Sequence, residues 1–213
     1  MKNIDDLIEG ATELAERGLS KGEIADELNV SRETASWLVQ QSGADQEPSV
    51  DAASGPHDIH VDWSAVGRDS TRLSYMGKAM ADLLSKQGED VDLTIGVEKA
   101  GAPLATTVAR ELETDLGTYA PSKHQWDDER DEGLDGSFSR NFAQIRGRDC
   151  YVVDDTITSG TTMTETIQAI REQGGTPVAC VVMADKRGLG DIEGVPVYSL
   201  MQVIRVGSEE PSE

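Results

Sequence analysis

Two acids stand side by side at Asp154 and Asp155, directly after the apolar run 151–153, and a stretch dense in hydroxyls follows them. That stretch holds Thr156, Thr158, Ser159, Gly160, Thr161 and Thr162. The backbone N–H groups of a loop that opens a helix can surround a phosphate, and the positive end of the helix dipole adds to the attraction. Hydroxyls of Thr158, Ser159, Thr161 and Thr162 supply further donors, while Gly160 lets the backbone pass close to a ligand. The two carboxylates would repel a phosphate and suit the hydroxyls of a sugar instead. The spacing therefore predicts a pocket for a phosphorylated sugar. An acidic loop that only caps a helix would not need so many hydroxyls.

Such a loop must be carried by a strand and a helix, and the flanking sequence provides both. Runs at 91–97, near 115–120, and at 149–155, 178–184 and 195–200 read as strands, and 71–88, 101–113 and 160–174 carry helical periodicity. The third and fourth strand runs are almost continuously apolar, as expected of strands covered on both faces. Alternating strands and helices predict an α/β domain with a central parallel sheet flanked by helices. Ligands of such sheets bind beyond the carboxyl ends of the strands, where Asp154 and Asp155 stand.

The segment VVDDTITSGTT, residues 152–162, resembles the phosphoribosyl-pyrophosphate (PRPP) motif of type I phosphoribosyltransferases. That resemblance implies the type I phosphoribosyltransferase fold. It implies that Asp154 and Asp155 hold the ribose 2′- and 3′-hydroxyls, directly or through Mg²⁺, and that residues 158–162 cradle the 5′-phosphate. A second segment, GVEKAGAPLA at 96–105, resembles the pyrophosphate loop of orotate phosphoribosyltransferases, with Gly101, Pro103 and Leu104 matching. The family's lysine position is Ala100 here, Lys99 falls one residue early, and Glu98 adds a negative charge. In orotate enzymes a mobile basic loop closes over the site and stabilises charge on the departing pyrophosphate. Only Lys123 and His124 echo that lid, at a different spacing, and the acidic run 127–132 follows them. Losing one such donor costs about two orders of magnitude in rate, so efficient orotate chemistry is not expected. ADKRG, residues 184–188, resembles a segment near the family's base pocket, where Arg187 would stack on or pair with a ligand; a solvated loop is the alternative.

Ahead of this region lies a different composition. Apolar residues at 4, 7, 8, 11, 14 and 15 mark an amphipathic helix that ends near Gly18. Ser20 and Glu23 have the spacing of a capping box, Asn29 can take a left-handed turn, and Ser31 can cap a following helix. The pattern L-S-x-x-E-I-A-x-x-L-x-V-S-x-x-T resembles the helix-turn-helix of bacterial and archaeal transcription factors. The resemblance places a recognition helix at 31–41, with Ser31, Arg32, Glu33, Thr34 and Ser36 facing DNA. A three-helix dimerisation module is the alternative. Residues 1–41 are thus read as the DNA-binding domain, 42–57 as a linker poor in large apolar groups, 58–207 as the ligand-binding domain and 208–213 as a disordered tail.

Forty acids oppose 19 bases for a net charge of −21, and the bases are mostly arginine. Such an excess keeps a surface hydrated in molar salt, where the screening length shrinks to about 3 Å. It resembles the protein style of haloarchaea. At that salt concentration the net charge does not veto DNA binding, because long-range repulsion is screened. Cys150 and Cys180 each sit in a Val-rich run and read as buried free thiols. With no apolar run long enough to span a bilayer and no signal-peptide pattern, a cytoplasmic protein with no membrane partner is expected.

Module and sheet domain together resemble the orotate phosphoribosyltransferase-like transcriptional regulators of haloarchaea (the GfcR family), tied to sugar-catabolic genes. The resemblance implies promoter DNA and PRPP or a related phosphosugar as partners, Mg²⁺ alongside PRPP, a homodimer or higher homo-oligomer, and sensing without efficient turnover. An active phosphoribosyltransferase for orotate or a purine base, with an accessory helical module, is the alternative.

Overall fold

A computed structural model describes residues 4–41, 58–122 and 136–204. The expected linker, Lys123 and His124 of the expected lid, and the tail lie outside the described residues. The first three helices are α1 (Ile4–Glu16), α2 (Lys21–Glu27) and α3 (Arg32–Gln41). Local chemistry sets their ends. The Glu23 N–H donates to Ser20 Oγ at 3.3 Å, and the Ser20 N–H donates back to Glu23 Oε2 at 2.8 Å, which completes the capping box. Asn29 turns the chain with φ of 52°, and the Thr34 N–H donates to Ser31 Oγ at 3.1 Å to cap α3. Ala11, Ile24, Ala25, Leu28, Val30, Ala35 and Leu38 bury themselves as one cluster, with alanines where the helices cross.

The rest of the described chain builds α4 (Ser64–Gly67), α5 (Ser70–Ser85), β1 (Leu93–Val97), α6 (Gly101–Leu112), β2 (Asp115–Ala120), β3 (Ser137–Phe138), β4 (Asp149–Ile157), α7 (Thr161–Glu172), β5 (Thr176–Asp185), β6 (Asp191–Ile192) and β7 (Val195–Gln202). The sheet order is β3-β2-β1-β4-β5-β7-β6. Five central strands are parallel, and the two-residue strands β3 and β6 run antiparallel at the edges, so the sheet is mixed rather than wholly parallel. β4 continues two residues beyond the acids because Thr156 and Ile157 still pair with Ala184 and Asp185 of β5. Asp154 and Asp155 therefore belong to the last turn of the pleat rather than to the loop after it.

Period-2 alternation divides the core in two. Cys150, Val152, Cys180 and Val182 face α7 and its Met163, Ile167 and Ile170. Tyr151, Val153, Val181 and Met183 face α5 and α6 through Met80, Leu84, Leu104 and Val108. Both cysteines are free and buried, and burial pushes the Cys150 thiol up to about 12. Among the described residues no helix is long and apolar enough to cross a membrane.

The small module has its own core, so its stability can be perturbed separately. Leu38→Ala should cost about 2–5 kcal/mol in the three-helix cluster. Chemical unfolding at high salt should then show an early transition for the module, while the sheet domain unfolds at its original midpoint.

Candidate functional site

From β1 the chain crosses through α6 to β2 on one side, and from β4 through α7 to β5 on the other. Loops that leave neighbouring parallel strands in opposite directions open a crevice beyond the carboxyl ends. That crevice is a cavity of about 290 Å³, large enough for a sugar phosphate. Glu98, Lys99 and Ala100 form one wall, and the stretch from Asp154 to Gly160 forms the floor. Gly101 is what brings the two together. A Cβ there would stand 2.5 Å from the Val153 carbonyl oxygen and 2.9 Å from Asp154 Cα, so only glycine lets α6 begin against the end of β4.

The stretch from Thr158 to Thr162 joins β4 to α7. Gly160 has φ of 86° and is the N-cap of α7, where it contributes no capping side chain of its own. The first amides of a helix have no intrahelical acceptor, so this 12-residue helix aims polar N–H groups at the loop. Thr156, Thr158, Ser159 and Thr162 line the cavity. Thr161 is exposed, and its Oγ1 accepts from Ser159 Oγ at 3.0 Å, which sets the curvature of the loop.

The acids differ from each other. Asp154 Oδ1 accepts the Asp155 N–H at 2.8 Å. Asp155 is only 8% exposed, and its Oδ2 accepts from Trp63 Nε1 at 2.7 Å and from Thr156 Oγ1 at 3.3 Å. Burial raises the Asp155 pKa above the ordinary carboxylate value, although hydrogen bonds from Asp154, Trp63 and Thr156 oppose the shift.

The remaining wall is the module of three N-terminal helices. Glu23, Ala25, Asp26, Glu27 and Asn29 face the cavity from α2 and the turn after it. Asn29 lies beside Trp63 and Asp155. Its amide is assigned in the orientation that satisfies both ends: nitrogen donates to Asp155 Oδ2 at 3.2 Å, and oxygen accepts from Trp63 Nε1 at 3.0 Å. A buried ion pair fixes the module there. Lys186 has a side chain 4% exposed and donates from Nζ to Asp58 Oδ1 at 2.8 Å and to the Asn29 carbonyl at 3.0 Å. Asp58 accepts in turn from the backbone N–H groups of Ser31 and Ile59. Burial works to raise the Asp58 pKa, but Lys186 and the two amides outweigh it and hold the carboxyl below its ordinary value. His60 Nδ1 donates to the Leu28 carbonyl, which leaves Nε2 buried with no partner among the described residues. An orphaned buried acceptor costs about 1–3 kcal/mol, so this seam is held but not optimised.

Charge inside the cavity is lopsided. Glu23, Asp26, Glu27, Glu98, Asp154 and Asp155 line it against Lys99, the one lysine or arginine among the described lining residues. Lys99 is itself paired with Glu27 at 3.5 Å. Arg187 is exposed and outside the lining, because Asp185 accepts the N–H groups of Arg187, Gly188 and Leu189 and turns the loop outward. The inward cation of that segment is Lys186. On α3, Arg32 and Glu33 are exposed, Ser31 and Thr34 are engaged in the cap, and Ser36 Oγ accepts from Lys21 Nζ at 2.9 Å. Nothing local in the sequence marks Trp63 or Asn29 as cavity residues, since each meets Asp155 across about half the chain.

Because folding raises the pKa of Asp155, its neutral form is the one that folding favours. That contribution is fully present below the unfolded value and is lost as pH rises through the folded value. Asp155→Asn should therefore stabilise the ligand-free protein near neutral pH and flatten the pH dependence of unfolding above the ordinary carboxylate range. Denaturation midpoints of the two proteins across that range check this.

The phosphoribosyl transferase domain family matches residues 62–200. The chain is 79% identical over 212 residues to the transcriptional regulator GfcR of Haloarcula marismortui, covering all of both chains. It is 70% identical over 211 residues to the transcriptional regulator GfcR of Halorubrum lacusprofundi, covering 99% of this chain and all of that one. Among solved structures, the orotate phosphoribosyltransferase of Aeropyrum pernix superposes with a TM-score of 0.55 at 23% identity, over 70% of this chain and 81% of that one, a likeness of fold. At such identity over its whole length, this chain belongs to the GfcR family of transcriptional regulators and carries a phosphoribosyl transferase domain behind its three N-terminal helices.

Proposed function

We propose that the protein is a DNA-binding regulator whose phosphoribosyltransferase-like domain senses PRPP or a related phosphosugar without turning it over efficiently. The observation that carries this reading is the composition of the cavity. A hydroxyl-lined loop and a helix N-terminus supply phosphate recognition, and paired acids supply recognition of sugar hydroxyls. The described walls offer a departing pyrophosphate one cation, Lys99, against six carboxylates. In this reading the ligand's 5′-phosphate lies against 158–162 and its diol against Asp154 and Asp155. Mg²⁺ would enter with PRPP, held chiefly by the ligand's own oxygens, because no group of three or more His, Cys, Asp and Glu suited to a metal occurs among the described residues. Promoter DNA would be read by α3 through Arg32, Glu33, Thr34 and Ser36, with Ser31 capping the start of that helix. A symmetric operator would call for a homodimer or a higher homo-oligomer in the cytoplasm. Control of sugar-catabolic genes is proposed on family resemblance alone.

Fluorescence anisotropy of labelled promoter fragments, at molar salt with and without PRPP and Mg²⁺, tests the proposal. The affinity for the operator should change at least fivefold with ligand, the lower range of allosteric coupling. Arg32→Ala should weaken operator binding in both conditions. Operator affinity that ignores PRPP and every other phosphosugar offered would refute the reading.

A further inference from the structure

The turn of the helix-turn-helix occupies the place a sugar diol would need. Asp155 is the floor of the cavity, and its carboxylate already receives the Trp63 indole N–H at 2.7 Å and the Asn29 amide at 3.2 Å. Donors at these positions supply what two ligand hydroxyls would supply. Asn29 is also the left-handed residue that joins α2 to α3, two residues before the cap of the recognition helix. The group that covers Asp155 and the group that aims the recognition helix are thus the same residue.

Two further observations bear on the direction of coupling. The module presents Glu23, Asp26 and Glu27 to a cavity whose opposite side is a phosphate-type loop. A phosphorylated ligand would be driven against three carboxylates by entering while the module is seated. Glu27 moreover holds Lys99, the cation such a ligand would seek, at 3.5 Å. The seam itself is a discrete latch. Lys186, 4% exposed, ties Asp58 to the Asn29 carbonyl, and Asp58 holds the Ser31 amide at the start of α3. A pair this buried is little screened by salt, so it persists where surface pairs fade. The buried His60 Nε2 without a partner among the described residues shows a seam that is not fully satisfied, as suits an element with a second arrangement.

We propose that the Asn29 turn is an internal competitor of the ligand: the docked module is the ligand-free state, and a phosphosugar that hydrogen-bonds to Asp155 displaces Asn29 and releases the recognition helix. This inference rests on phosphosugar sensing, and deepens it by assigning the coupling to a single shared carboxylate. The sensor then needs no relay across the sheet. The ligand and the turn bind Asp155 in alternation, and each lowers the affinity of the other by the same factor.

Asn29→Gly is the direct test, because glycine keeps the left-handed turn and deletes the amide. Lys186→Met, which removes the latch while keeping the stem, is the second variant. Calorimetric titrations at molar salt would use PRPP with Mg²⁺ and, in parallel, ribose 5-phosphate. Either ligand should bind both variants about tenfold more tightly than the wild type, the effect of removing one competing hydrogen bond made to a charged group. Ligand should also accelerate hydrogen exchange of the Ser31 amide in the wild type. Equal affinity in wild type and Asn29→Gly would overturn the competition while leaving sensing intact. Weaker binding in Asn29→Gly would also overturn it, by showing that the turn completes the bound site. Binding of neither ligand to any of the three proteins would bring down phosphosugar sensing itself.

Discussion

The site is governed by the cost of burying the Asp155 carboxyl group at the end of a parallel strand with almost no access to water. Burial of a carboxylate is tolerated only where donors surround it. Here the donors are Trp63, Thr156 and the Asn29 amide, drawn from three separate parts of the chain. Each of these contacts constrains a larger piece. Trp63 stands at the entry into the sheet domain ahead of α4, Thr156 lies in the end of β4, and Asn29 brings the N-terminal three-helix module onto the mouth of the crevice. Three parts of the chain thus converge on one buried carboxyl group.

The charge of the described walls is the property that bears most on transfer chemistry. Ejecting pyrophosphate concentrates negative charge in the transition state, and preorganised cations supply much of the stabilisation. The described walls hold six carboxylates and one lysine, and the lysine is already paired. Binding a single phosphate is less demanding, because amides at a helix start and neighbouring hydroxyls suffice. Recognition and turnover thus make separate demands on one scaffold, as expected when function resides in a site grafted onto a fold.

What could be read from the sequence was whatever depends on near neighbours. The capping box of Ser20 and Glu23, the left-handed Asn29, the cap at Ser31 and the glycine at 160 all appear where local chemistry puts them. The five long strands and their helices were legible because apolar runs covered on both faces have few other solutions. The two-residue strands β3 and β6 were not, since neither carries an apolar run of its own. The extension of β4 past its acids depends on pairing with β5, which a one-dimensional pattern does not record. The seam between module and sheet was invisible for the same reason. Lys186 and Asp58 are far apart in sequence, and Lys186 resembled one more charged residue of a loop beside Arg187. Only the fold decides which of the two cations turns inward.

Calorimetric titration of PRPP with Mg²⁺ into the full-length protein at molar salt, paired with an assay for released pyrophosphate in the presence of orotate and of purine bases, addresses the central claim most directly. A sensor of this kind should show saturable binding that disappears in Asp155→Asn, with pyrophosphate release no faster than in the absence of protein. Brisk pyrophosphate release with any of these bases would contradict it.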